Sequence, residues 1–202
     1  MFITLEGIDR SGKTTQAAML AEALGGDALL IREPGGTEMA ERVRILLKDP
    51  ALEMGDVAEL LLFSAARADL AERVIKPAIS AGRDIVCDRF VDSTAAYQGA
   101  ARGIGVDVVE ELMKLVVGSC MPDVTVFLRV DPDAAHARGL ERHAAGEEDG
   151  SDRFESEGVE FQREVARAYD EIAALHPDRI IVVDGEGEPA EVHARVMEAV
   201  GR

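Results

Sequence analysis

Five short runs of apolar, mostly β-branched residues punctuate the chain, at 2–5, 28–31, 85–87, 124–130 and 180–183, each bounded by Gly, Pro, Asp or Arg. Their apolarity is continuous rather than alternating, as in strands covered on both faces. Between them, segments 13–24, 38–47, 57–79, 106–117, 133–145, 159–175 and 189–200 repeat their apolar positions with helical spacing. Strands alternating with helices predict an α/β fold: about five parallel strands with helices on both faces, in a single domain over 1–202. Asp131-Pro132-Asp133 and Gly187-Glu188-Pro189 read as helix starts, with Pro in or near the first turn. Residues 143–158 break the rhythm, being polar and studded with Gly. They predict a mobile surface segment, either a plain loop or a lid over a bound nucleotide.

Composition narrows the function. The 202 residues are 47% apolar with no Trp, enough for a core without disulfide or metal staples. The formal charge is −17, from 22 basic and 39 acidic residues, which argues against nucleic-acid tracks and anionic membranes as partners. A small, locally positive nucleotide site remains compatible with it. Cys87 and Cys120 lack metal-ligand spacing, and Cys87, inside an apolar run, reads as a buried small hydrophobe. The start does not resemble a signal peptide and no apolar run is long enough to span a bilayer, so a cytoplasmic protein is expected.

The strongest chemical signal is Gly7-Ile8-Asp9-Arg10-Ser11-Gly12-Lys13-Thr14, followed by Thr15, between a strand and a helix. Glycines let the backbone curl so that N–H groups surround phosphate oxygens at a helix N-terminus. Lys13 can then reach the β- and γ-phosphates of ATP, and the Thr14 hydroxyl can ligate Mg²⁺. Arg10 is either a solvated loop residue or a charge that follows the γ-phosphoryl group, an arginine finger in cis. No Asn-Lys-x-Asp guanine-reading motif is present. Several arginines near predicted loops suit transfer between two small phosphorylated molecules. Asp88, at the end of its apolar run, is placed to hold Mg²⁺ or to cap a turn.

Over essentially its whole length the chain resembles the thymidylate kinase family of P-loop nucleoside monophosphate kinases, a three-layer fold. The resemblance rests on Glu6 to Thr15, Arg32-Glu33-Pro34-Gly35-Gly36-Thr37, Leu62-Phe63-Ser64-Ala65-Ala66-Arg67, Asp88-Arg89-Phe90, Ser93-Thr94-Ala95-Ala96-Tyr97-Gln98-Gly99 and Pro122-Asp123. It implies transfer of the γ-phosphoryl group of ATP to dTMP, with Mg²⁺, for dTTP synthesis. By the resemblance Asp9 lies near the 3′-hydroxyl of the acceptor sugar. Arg32 and Arg89 approach the dTMP phosphate, for which a guanidinium fork suits a dianion. Phe63 stacks on thymine, Arg67 hydrogen-bonds to the base, and Pro34, Ser93, Thr94 and Gln98 line the same pocket. Tyr97 packs under the 2′ position and excludes a hydroxyl there. A homodimer is also implied, with Leu60-Leu61-Leu62-Phe63 more apolar than one buried face requires.

Departures from the family sharpen the expectations. Arg10 sits in the loop while Glu147-Glu148-Asp149 makes the lid acidic, so Arg10 is expected to carry more of the rate than Arg153. Arg129 stands where the family often has Asp. Arg138 and Arg142, four apart on a predicted helix, either flank the adenine or belong to a solvated face. Another deoxynucleotide or nucleoside kinase of this fold is the alternative. dUMP is the hard competitor, because one methyl changes binding by only about 1–3 kcal/mol.

Overall fold

The computed structural model describes residues 1–144, 153–154 and 157–202, with the backbone alone described over 140–144. Most of the expected lid therefore lies outside the described residues, Glu147, Glu148 and Asp149 included. Strands β1 (Phe2–Glu6), β2 (Leu29–Arg32), β3 (Ile85–Asp88), β4 (Val124–Arg129) and β5 (Ile180–Asp184) form one parallel sheet in the order β2-β3-β1-β4-β5. The expected five strands are all present, each within two residues of its predicted ends.

Alternation along each strand divides the core in two. Ile3, Leu5, Val86, Val126, Leu128 and Val183 pack under helices α1 (Lys13–Leu24) and α9 (Pro189–Ala199). Phe2, Ile31, Ile85, Cys87, Phe127 and Ile180 face the opposite layer, which includes α3 (Asp56–Leu70), α6 (Val106–Val117) and α8 (Val159–Leu175). Helix α2 (Glu38–Lys48) packs beside α3, with Ala40, Val43 and Leu47 against Ala66. Helix α7 (Pro132–Ala144) starts where Asp131 Oδ1 accepts from the Ala134 amide at 2.9 Å. Glu188 and Glu191 form a reciprocal cap for α9. Both Pro-marked helix starts thus stand as expected.

Two helical segments differ from expectation. The predicted 57–79 helix is interrupted: α3 passes through a π-helical turn at Ala71–Ile75 into the short α4 (Lys76–Ser80). Pro77 has no N–H to give and its ring crowds the carbonyl four residues back, at Arg73, inside that wider turn. The second difference is an element the periodicity did not predict: α5 (Val91–Thr94) runs directly into a π-helical segment, Ala95–Ala101. Its residues are nearly all buried, so it lacks the polar stripe that would have signalled a helix.

The topology positions the chemistry. β1 and β3 are neighbours, but the chain leaving β1 crosses toward β2 and the chain leaving β3 crosses toward β4. Such a reversal opens a crevice beyond the carboxyl ends of the two strands. Glu6 to Thr14 follow β1 and Asp88 to Gln98 follow β3, so both motif groups meet there. Among the described residues no helix is long and apolar enough to cross a membrane.

Candidate active site

The phosphate loop is shaped by a steric requirement at its first glycine. Gly7 has φ +147°, and a Cβ there would lie 2.7 Å from the Leu128 carbonyl oxygen of the neighbouring strand. The Lys13 ammonium is buried and donates to the Ile8 carbonyl at 2.7 Å and to Ser11 Oγ at 3.4 Å. Burial, then the nearby Arg89 charge, draws its pKa from 10.5 down to about 8. Thr14 Oγ1 donates to Asp88 Oδ2 at 2.6 Å, while Asp88 Oδ1 is buried with no hydrogen-bond partner. No three His, Cys, Asp or Glu side chains converge among the described residues. The Thr14–Asp88 pair with its open oxygen fits Mg²⁺, which takes one or two protein oxygens and fills its shell with water and phosphate.

Beyond the loop opens a cavity of about 340 Å³, in the range of small-molecule sites. Asp9, Arg32, Pro34, Phe63, Arg67, Arg89, Ser93, Thr94, Tyr97 and Gln98, all expected at the acceptor, line it, and Arg10, Lys13, Thr14 and Asp88 line its loop side. Gly7, Ile8, Ser11, Gly12 and Thr15 belong to the loop without lining this cavity. The π-helical segment matters here. Its wider turns carry Tyr97 and Gln98 on from Ser93 and Thr94, each pair four residues apart and all four on the cavity side.

Arg89 ties the two halves together. It takes φ +69°, a conformation that costs a non-glycine residue about 1–2 kcal/mol. From there its guanidinium donates to the Gly7 carbonyl at 3.0 Å, Ser93 Oγ at 3.1 Å, Tyr97 Oη at 3.2 Å and, closest of all, Asp9 Oδ1. Burial pushes the Asp9 carboxyl up, but Arg89 and then Lys13 outweigh it, and its pKa lies below 3.8. Asp9 is therefore an anion throughout the neutral range, able to accept a proton or a hydrogen bond. Gln162 of α8 holds its other oxygen, Nε2 to Oδ2 at 2.9 Å.

Arg67 lines the cavity yet is only 2% exposed. Nε donates to Glu33 Oε2 at 2.7 Å, NH1 to Thr94 Oγ1 at 2.6 Å and to the Met113 sulfur at 3.1 Å, and NH2 to the Phe90 carbonyl at 2.9 Å. NH2 also lies 2.6 Å from Glu33 Oε2. A guanidinium has five N–H groups, and these contacts engage them all within the protein. Arg67 thus orients Thr94 and Glu33 at the cavity wall. The Glu33 carboxyl is pushed up to about 7 because burial outweighs the Arg67 charge.

The remaining expected residues divide. The Arg10 side chain lies against Gly139 of α7, where a Cβ would come 2.1 Å from Arg10 Nε; glycine in mid-helix leaves its slot. Arg138 pairs with Glu186 at 2.9 Å, joining α7 to the loop after β5. The Arg142 side chain lies outside the described residues. Arg153 is bonded to Glu59 at 2.6 Å and to the Leu47 carbonyl at 3.1 Å, next to Leu47 and Phe154 of the cavity lining. Arg129 reaches outward to Asp170, with NH2 to Oδ1 at 2.5 Å.

Several contributors escaped sequence reasoning. Glu6 accepts from the Phe90 amide at 2.7 Å, the Ser93 amide at 3.2 Å, Ser93 Oγ at 2.6 Å and Tyr169 Oη at 2.8 Å. Burial and then the Asp92 charge raise its pKa above 4.5. A Glu closing an apolar strand was the available signal. Gln162 and Tyr169 sit on a helix whose pattern reads only as amphipathic. Arg44 and Phe154 also line the cavity, and nothing in their local spacing marks them.

A phosphate loop at a sheet reversal, with a second, cation-rich cavity against it, defines a P-loop phosphotransferase that holds a small phosphorylated acceptor. The thymidylate kinase family model matches residues 5–196. Thymidylate kinases of Chlorobaculum parvum and of a Jannaschia species are 41% and 43% identical to the chain, over 99% and 100% of it and 95% and 96% of their own lengths. The crystal structure of thymidylate kinase from Ehrlichia chaffeensis superposes with a TM-score of 0.80 at 35% identity, covering 100% of this chain and 98% of that one. The chain belongs to the thymidylate kinase family.

Two predictions follow from this geometry. Gly139→Ala keeps the fold, since alanine favours helix by about 1 kcal/mol, but drives Arg10 from its slot. Its kcat should fall about tenfold with Tm unchanged or raised; wild-type kcat would show that the slot does not matter. Phosphates beside Lys13 raise its depressed pKa again, so ATP binding at pH 8 should take up about half a proton per site. Calorimetry in buffers of different ionisation enthalpy reads this uptake, and buffer-independent heats would contradict it.

Proposed function

We propose that the chain transfers the γ-phosphoryl group of ATP to dTMP, giving dTDP and ADP, with ATP on the phosphate loop and dTMP in the 340 Å³ cavity. The observation carrying this reading is that the ten residues expected at the acceptor line one cavity together with Lys13, Thr14 and Asp88. Membership of the thymidylate kinase family favours dTMP over another deoxynucleotide or nucleoside.

Each side chain has a task in that reaction. Arg32 and Arg89 hold the acceptor phosphate, and Asp9 accepts from the sugar's 3′-hydroxyl. Phe63 offers its ring face to the base, Thr94 and Gln98 its polar partners, and Tyr97 closes the 2′ side. Lys13 and Arg10 neutralise charge on the transferring group. Phosphoryl transfer through a loose transition state depends on such positioning and neutralisation more than on a base. Thr14 and Asp88 would hold Mg²⁺, which would offset phosphate charge when bound.

The active unit is proposed to be a homodimer. Of Leu60 to Phe63 only Leu61 turns strongly outward, and it shares an exposed face with Val57, while Val108 and Leu115 are exposed on the adjacent α6. Two free, buried thiols suit a reducing cytoplasm.

Among dTMP, dUMP, TMP bearing a 2′-hydroxyl, dCMP, dGMP and thymidine, dTMP should give the highest kcat/KM by ADP release. Another winner would overturn the base-pocket assignment. In the same assay Arg10→Ala should lose about 10³ in kcat, as an arginine finger does, and more than Arg153→Ala. For assembly, light scattering should give a dimer mass that Leu61→Glu with Leu115→Glu reduces to the monomer; a monomeric wild type would refute the dimer.

A further inference from the structure

The far wall of the acceptor cavity is built by a residue that the phosphate chemistry does not need. Phe154 lines the cavity beside Phe63, the two rings meeting edge to face with centroids 5.7 Å apart. It is also packed with the α2–α3 core of Ala40, Val43, Leu47 and Ala66. Phe154 is held there through its neighbour. The Arg153 amide donates to the Lys48 carbonyl at 3.3 Å and its Nε to Leu47 O, which fastens this segment to the end of α2. The guanidinium lies 4.7 Å over the Phe154 ring and reaches Glu59 Oε2.

Glu59 is 1% exposed and bonded on both oxygens. Oε2 takes Arg153, while Oε1 takes Gln98 Nε2 at 2.7 Å and Arg102 Nε at 3.4 Å. One buried carboxylate thus fixes a polar group of the cavity wall and the cation that presents an aromatic ring to the same cavity. Buried carboxylates are retained only where such bonds and charges offset their desolvation. Two rings meeting edge to face make an apolar corner suited to a flat pyrimidine.

We propose that Phe154 is a second aromatic wall of the acceptor-base site, and that Glu59, acting through Arg153, is the residue that positions it. The proposal rests on the acceptor being dTMP in this cavity. It gives Arg153 a task in acceptor binding rather than at the transferring phosphate. Phe154 and Glu59 should then act on dTMP affinity and leave the ATP side alone.

The test compares Phe154→Ala, Phe154→Leu and Glu59→Gln with the wild type, by steady-state kinetics in both substrates and by calorimetric titration of dTMP without ATP. Phe154→Ala should raise KM and Kd for dTMP about tenfold, with KM for ATP and kcat at saturating dTMP within about twofold. Phe154→Leu should recover part of the loss, and Glu59→Gln should shift the same two constants in the same direction. Because Glu59 is buried, Tm is recorded for each variant. Arg153→Met, which removes the ion pair to Glu59 but leaves Gln98 in place, should also raise KM for dTMP; a wild-type KM there overturns the positioning role even if Glu59→Gln does not fold. A wild-type KM for dTMP in Phe154→Ala, or a loss confined to kcat, overturns the proposal. Failure of the wild type to phosphorylate dTMP would sink the functional reading itself, and the proposal with it.

Discussion

The carboxylate of Glu6 stands at the carboxyl end of the central strand, wholly buried, and four protein groups donate to it. Two are backbone amides at the start of α5, so Glu6 caps that helix as an Asp or Ser would from within the chain. The phosphate loop and the cavity beside it both hang from this one side chain. Upstream of it the strand is fixed in the sheet; directly after it the phosphate loop begins. On its other side α5 and the π-helical segment carry Ser93, Thr94, Tyr97 and Gln98. Through Tyr169 the same carboxylate seats α8, which delivers Gln162 to Asp9. Burial raises the pKa of Glu6, and the bonds it accepts oppose that rise.

The electrostatics invert between surface and site. The chain carries −17 overall, but the cavity beside the phosphate loop is lined by Arg10, Lys13, Arg32, Arg44, Lys48, Arg67 and Arg89 against Asp9, Glu33 and Asp88. Seven cations facing three acids make a local well for phosphates inside a negative protein. The acids have work of their own. Asp88 pairs with the Thr14 hydroxyl, Glu33 anchors Arg67, and Asp9 holds Arg89 in its left-handed bend.

Much of this was legible in the sequence because it depends on local pattern. Apolar runs gave five strands within two residues, and Lys13–Leu24, Val106–Val117 and Val159–Leu175 begin and end where periodicity places them. The loop was legible as a spaced motif, and the residues that line the cavity were singled out by the family resemblance. What stayed hidden depends on contacts between distant segments. Helix Val91–Thr94 with its π continuation is buried on nearly every side and shows no amphipathic stripe. The resemblance places Arg67 at the base, and only the fold shows Glu33, Thr94, Phe90 and Met113 around its guanidinium. Gly139 reads as a weak spot in a helix until the Arg10 side chain fills the space beside it. Arg153 was expected to carry less of the rate than Arg10, and only the fold shows its buried partner, Glu59.

The sheet order also sets when the site can come into being. β1 precedes the other strands of its sheet in the sequence and lies at the centre, yet its neighbours are β3 and β4, paired from Phe2 to Ile85 and from Ile3 to Val124. Such long-range parallel pairing is slow to form. A growing chain therefore exposes its phosphate loop early, on a strand that has no partner until some eighty residues later. Tyr169 and Gln162 arrive later still, so the site is completed only after α8 has been made. A truncated chain would keep the signature motif and lack the chemistry.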